Sequence, residues 1–312
     1  MTWKEIIIYL TIPSFIFFYL PFSESLFFLS SVFLIIGIKN NRIGLILTGL
    51  FIASLSRPAF LIFIPALFII EFLTGQKKQN QTLSNKIVRF ILYLIIMGTG
   101  TLVVAFIQFR DTHEWFRFLE VQKGWGNYLQ IPNLPLTSWA GGYIVRLDGS
   151  AFLSGMITGF FLLLYLIRAR FTKNVTLSKE VIFSLAYLGG ITLSVLLFRG
   201  GSLFSLNRFV FSTAFIVVTL HYLYSSDLKL SLRQLLLIFI TLTFFWILFF
   251  KSYSHIQYFL KFTFLTLYLI LPFTLKSEIK LYRQIGFVLL LALNIFFQIS
   301  FYLRFLDGGW IG

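Results

Sequence analysis

Long apolar runs follow one another from end to end of this sequence, and Lys, Arg, Asp and Glu stand mostly in short clusters between them. Backbone at membrane depth has no water to bond to, so runs of this length fold as helices that satisfy their own amides. Charged residues make up 12% of the 312 positions, about half the share usual in a soluble domain. The pattern excludes a soluble enzyme, a disordered tail and a fibrous protein, and predicts an all-α, polytopic integral membrane protein.

Eleven candidate spans read at 5–20, 24–38, 43–55, 58–74, 88–107, 151–168, 181–198, 207–224, 234–250, 256–274 and 284–303. They form a single transmembrane domain over 1–312, with one long polar segment at about 108–150. Pro13, Pro21, Pro58 and Pro65 punctuate the first four spans and predict broken or kinked helices. No small-residue cleavage site follows the first apolar stretch, so no signal peptide is expected.

Alternate connections divide the basic residues unequally. One set holds 16 of the 26, among them Lys4, Lys39, Arg42, Lys86, Arg89, Lys179, Lys276 and Arg283. Basic connections stay in the cytoplasm, which places the N-terminus inside and the 108–150 loop and C-terminus outside. The Phe-, Ile- and Lys-rich composition without cysteine points to a bacterial cell membrane. The lack of cysteine also removes disulfides, thiolate metal sites and cysteine nucleophiles. The net charge of +15 lies in scattered topology clusters rather than a continuous basic face, so nucleic acid is not an expected partner. His113, His221 and His255 are too dispersed for a histidine metal site, and no phosphate-loop or dinucleotide motif occurs; the sequence identifies no cofactor and leaves a divalent metal open.

The candidate chemistry gathers at the outer side. The long loop carries Asp111, Glu114, Arg117, Glu120, Lys123, Arg146 and Asp148 with Trp115, Trp125 and Trp139. Carboxylates can accept protons, Arg and Lys can hold phosphate, and Trp can stack on a sugar or anchor at the interface. Arg57 in SLSRPAF, Arg199 in LLFRGGSLF and Arg208 in SLNRFVF sit near the outer ends of spans. An arginine there snorkels to headgroups or finds an anionic partner, and a lipid-linked phosphate is one such partner. Gly200 and Gly201 would let backbone amides approach that phosphate. Glu24 in LPFSESLFF either pairs with Arg57 or caps the second span.

Together these residues resemble the PIG-V-like mannosyltransferases and their bacterial relatives, which are integral-membrane GT-C glycosyltransferases. The resemblance runs over roughly 10–220. It rests on Pro13 upstream of Ser23, Glu24, Leu26 and Phe27, on Ser56 and Arg57 ending a span, on Asp111, Phe116, Gln122 and Trp125 in the loop, and on Arg208 with Phe209. Two positions depart from the family pattern: Arg110 stands for Gly, and Phe209 for Tyr. The family's catalytic first outer loop has no counterpart, which implies a shortened chain, a partner chain supplying the missing spans, or lost catalysis. The resemblance implies transfer of a sugar from a polyprenyl-phosphate donor to a lipid or glycan acceptor outside the cytoplasm. It assigns Asp111 and Glu24 as acid–base candidates and Arg57, Gln122, Trp125, Arg199 and Arg208 as substrate-binding residues. The competing expectations are a non-catalytic partner subunit of such an enzyme and a lipid or solute transporter.

Overall fold

Each of the eleven apolar stretches is helical in the computed structural model of the chain, which describes residues 2–20, 23–73, 82–138, 142–171, 177–227, 229–250 and 256–309. Pro21, Trp139, His255 and the side chain of Arg146 lie outside the described residues. The first third contains α1 (Trp3–Thr11), α2 (Glu24–Lys39), α3 (Ile43–Ser56) and α4 (Phe63–Phe68). Next come α5 (Leu83–Thr112), the short α6 (Arg117–Gly124), α7 (Gly142–Phe171) and α8 (Lys179–Phe198). The chain closes with α9 (Leu206–Phe211), α10 (Ala214–Ser225), α11 (Leu232–Phe250), α12 (Ile256–Thr274) and α13 (Lys280–Leu306). Among the described residues, five segments, Leu83–Thr112, Leu147–Phe171, Lys179–Phe198, Leu232–Phe250 and Lys280–Leu306, are long and apolar enough to cross a membrane. The protein is an all-helical membrane protein.

Prolines set the breaks. A proline has no N–H to donate and clashes with the preceding turn. The first stretch therefore stops as an α-helix at Thr11 and resumes as a 3₁₀ helix, Pro13–Phe18. Pro58 does the same, starting a 3₁₀ turn that passes into α4 and then a π turn, Ile69–Leu73. The carbonyls loosened at the first break are met from α13: the Gln298 side-chain amide donates to the Leu10 and Ile12 oxygens at 3.0 Å each. Asn294 donates to Thr11 Oγ1 at 3.2 Å and accepts from the Tyr268 hydroxyl. Gln298→Leu is expected to lower stability by about 1 kcal/mol, the usual value of such bonds in a membrane. A thermal-unfolding series of the purified protein checks it.

The sequence reading misplaced two boundaries. α5 continues through Asp111, and α7 begins at Gly142 rather than 151, so Asp148 belongs to a helix and not to the loop. A helix does not end where a charge appears; it ends where its backbone bonds stop. Here Asp148 is fully buried and hydrogen-bonded, so the helix carries it inward. The 207–224 stretch likewise divides, with Ser212 and Thr213 between α9 and α10.

Small residues let the helices approach. A Cβ placed on Gly189 in α8 would lie 2.6 Å from the Gly159 Cα in α7, so only glycine fits the contact. Gly189→Ala is expected to force α7 and α8 apart and cost about 1–3 kcal/mol, read as a lower unfolding midpoint. At the centre, Phe27, Phe63, Phe183, Tyr187 and Phe215 from α2, α4, α8 and α10 form one aromatic core. Neighbouring centroids in it stand 4.4–5.7 Å apart. The charged groups collect at the two ends of this core. At the end carrying the N-terminus, Glu71 on the π turn pairs with Arg89 at 3.4 Å and accepts from the Tyr93 hydroxyl at 3.2 Å.

Candidate functional site: a buried charge cluster at the helix ends

The opposite end of the core is where α2 begins and α3 and α8 stop. The residue before a proline is disfavoured in the α region. The Ser-Arg-Pro order therefore ends α3 at Ser56 and leaves Arg57 as its extended C-cap. Arg199 is the C-cap of α8. Glu24 opens α2 behind Ser23. Each charge thus meets the helix end whose dipole favours it: carboxylate at an N-terminus, guanidinium at two C-termini.

Glu24 joins two distant parts of the chain. Its Oε1 accepts from Arg57 Nη2 at 2.7 Å and from Arg208 Nε at 2.5 Å. All three side chains are sealed from solvent, at 0% exposure for Glu24, 8% for Arg57 and 12% for Arg208. Aromatic faces complete the packing. Arg57 lies 4.8 Å from the Phe209 ring centroid and 5.5 Å from that of Phe27, and Arg208 lies 5.0 Å from that of Phe17. Arg199 stands 5.9 Å from the same Phe209 ring and donates from Nη1 to the Phe204 carbonyl. Tyr187 from the aromatic core reaches up to donate to the Phe209 carbonyl at 3.3 Å.

A second carboxylate lies beside the first. Asp148 accepts from Ser138 Oγ at 2.6 Å, and from the Asn207 backbone and side-chain amides at 3.0 and 2.6 Å. Ser14 Oγ donates to Asn207 Oδ1 at 3.1 Å, which brings the 3₁₀ turn after Pro13 into the network. Three guanidiniums thus share this end with two carboxylates, leaving one positive charge in excess. Among the described residues, Arg57 Nε and Nη1 and Glu24 Oε2 are buried without a hydrogen-bond partner. Buried polar groups are rarely left so, and an unpartnered guanidinium in particular is suited to a small anion.

Of the residues singled out by sequence, the structure brings together Glu24, Arg57, Arg199 and Arg208. The expected Glu24–Arg57 pair forms. Asp111, Gln122 and Trp125 stand apart from this cluster, on the 108–150 segment. Asp111 is 56% exposed and pairs with its neighbour Arg110 at 3.1 Å. Gln122 accepts from Asn127 Nδ2 at 2.5 Å, and Trp125 is 66% exposed at the end of α6. The Gly201 amide donates to the Leu196 carbonyl at 3.3 Å. Gly200 and Gly201 both have positive φ, +55° and +95°, and their carbonyls accept from the Asn133 and Thr137 amides at 3.0 and 3.1 Å. A Cβ on Gly201 would lie 2.5 Å from the Asn133 oxygen. The glycines serve the 130–137 segment, which runs along the turn between α8 and α9; Gln130 N–H to Leu197 O at 2.9 Å continues the same attachment. Sequence reasoning missed Asp148 as a site residue, and Asn207 and Tyr187 entirely. The available signals were an aspartate followed at once by an apolar run and an asparagine adjoining Arg208.

Among the described residues, no three His, Asp or Glu side chains group closely enough to hold a metal ion. Comparison with protein-family models, curated proteins and solved structures finds no match for this chain.

Proposed function

We propose that this chain is an integral-membrane glycosyltransferase of the mannosyltransferase type, crossing the cell membrane eleven times with its N-terminus in the cytoplasm and its C-terminus outside. It moves a sugar from a polyprenyl-phosphate donor to a lipid or glycan acceptor at the outer face. The observation that carries this reading is the buried Arg57 guanidinium, which keeps two nitrogens, Nε and Nη1, unpartnered in a cluster of three guanidiniums and two carboxylates. In the reaction the bond from the anomeric carbon to the phosphate oxygen breaks and the lipid phosphate leaves with the electron pair. The acceptor oxygen bonds to that carbon and gives up its proton to a base. Arg57, Arg199 and Arg208 stabilise the charge gathering on the phosphate. Glu24, whose Oε1 is shared by two guanidiniums, positions Arg57 and Arg208. Gln122 and Trp125 take the sugar and Asp111 the proton once the bound donor draws their segment, which stands apart from the cluster in the free protein, over Arg57; that segment is tied to the turn that carries Arg199.

The test is transfer of labelled sugar from a polyprenyl-phosphate donor by the purified chain reconstituted in lipid. Arg57→Lys and Asp111→Asn are each expected to lower transfer about 100-fold while insertion is unchanged. Normal transfer by both would overturn the assignments. The complete burial of Glu24 and Asp148 favours a second reading, a non-catalytic subunit whose cluster is structural. Transfer that appears only when a second membrane chain is added would favour it.

A further inference from the structure

A cavity of about 560 Å³ opens at the end of the bundle that carries the N-terminus, between the α10–α11 connection and the α12–α13 turn. Ser226, Asp227, Lys229, Lys276, Ser277 and Arg283 line it. A second cavity of about 180 Å³ shares Lys276 and Arg283 and adds Lys4, Glu5 and Tyr224. Both lie at the far end of the molecule from the Glu24 cluster, and nothing in the proposed transfer uses them.

The walls are held by backbone bonds. Leu230 N–H donates to the Lys276 carbonyl at 2.7 Å, and Glu278 N–H to the Leu230 carbonyl at 3.2 Å. Lys276 Nζ donates to the last carbonyls of α10, those of Tyr224 and Ser226, at 2.5 Å each. Arg283 gives Nη1 to the Ser277 carbonyl at 2.9 Å, and its Nε and Nη2 make no hydrogen bond among the described residues. The lining cations Lys4, Lys229, Lys276 and Arg283 face two carboxylates. Glu5 is already engaged, by the Thr2 amide at 3.2 Å and by His221 Nδ1 at 3.1 Å. Asp227 is the one lining carboxylate without a hydrogen bond among the described residues. The Tyr224 hydroxyl is buried at the smaller cavity and also has no partner there.

A donor-rich, positively charged cleft at the ends of membrane helices has the chemistry that oxyanions select. We propose that this cleft binds a phosphate-bearing anion through Lys229 and Arg283. Two sources share that chemistry, the headgroup of an anionic phospholipid and a soluble phosphate.

The experiment uses the full chain in phosphatidylcholine nanodiscs, with either phosphatidylglycerol in the disc or inorganic phosphate in the buffer. Binding is read by native mass spectrometry and by the shift in unfolding midpoint. The expected result is a stabilising shift with one probe, which identifies the source, and a loss of about tenfold in affinity in Lys229→Gln/Arg283→Gln. Lys229→Gln alone removes an exposed cleft cation that makes no hydrogen bond among the described residues. It should fold as the parent does and still weaken binding severalfold, so the proposal stays testable if the double variant unfolds. Lys39→Gln/Arg42→Gln removes two cations from the same end outside the cleft and is expected to bind as the parent does. No shift with either probe, undiminished binding in the cleft variants, or an equal loss in the Lys39/Arg42 control would overturn the site.

Discussion

Glu24→Ala is expected to be the most damaging single substitution in the molecule, lowering stability by about 3–5 kcal/mol. The carboxylate is fully buried and is the shared partner of Arg57 and Arg208. Removing it leaves two largely buried guanidiniums without their direct partner, next to a third at Arg199, with Asp148 as the remaining carboxylate of the cluster. The ion pair itself is not the source of that figure. Taking charges out of water costs about as much as their attraction returns, and the penalty arises because the survivors are stranded. Replacing all three groups together, in Glu24→Leu/Arg57→Met/Arg208→Met, is therefore expected to restore most of the lost stability. Unfolding midpoints of the single and triple variants in detergent test this directly. The pair also separates structure from function, since a stable triple variant that has lost sugar transfer would assign the arginines to chemistry. A triple variant as unstable as Glu24→Ala would show that the cluster's shape matters more than its charge.

Asp148→Ala should be nearly as costly, at about 3 kcal/mol or more, for a related reason. Three donors converge on this buried side chain, two of them from Asn207. Bonds to a carboxylate are worth about 1.5–3 kcal/mol each, and a buried donor left unmet loses its desolvation energy as well. The effect should also spread. Asn207 adjoins Arg208 and accepts from Ser14, so losing its anchor loosens α9 from α7 while the bonds to the turn after Pro13 remain. A double-mutant cycle of Asp148→Ala with Asn207→Ala is expected to show coupling, because either change removes the bond from the Asn207 side-chain amide to Asp148. Additive losses would mean that the two residues act separately.

The positions of the helices were legible because they depend on a local property. A run of apolar residues long enough to cross a bilayer must bond its own backbone, wherever its side chains end up. The proline breaks were legible for the same reason, since a missing N–H acts within one turn. Polar positions close to helix ends were harder to place. Asp148 reads as loop in a scan for charge, and only its contact with Ser138 and Asn207 explains why a helix can carry it inward. Gly200 and Gly201 read as openings for a ligand, and the structure lays the 130–137 segment against their carbonyls.

By itself, the sequence determined that this is an all-helical membrane protein, that its charges collect at helix ends, and that Arg57 must cap α3 because Pro58 follows it. Each of these results from forces acting within a few residues. Tertiary structure alone decided that one carboxylate at Glu24 serves arginines 33 and 184 residues away in the chain. It also decided that Asp111 and Trp125 stay exposed and apart from that cluster. Ion pairing depends on which helix ends are packed side by side. That packing is set by shape, through small residues such as Gly159 and Gly189 and the rings around Phe63, and shape complementarity between distant segments leaves no periodic trace in a sequence.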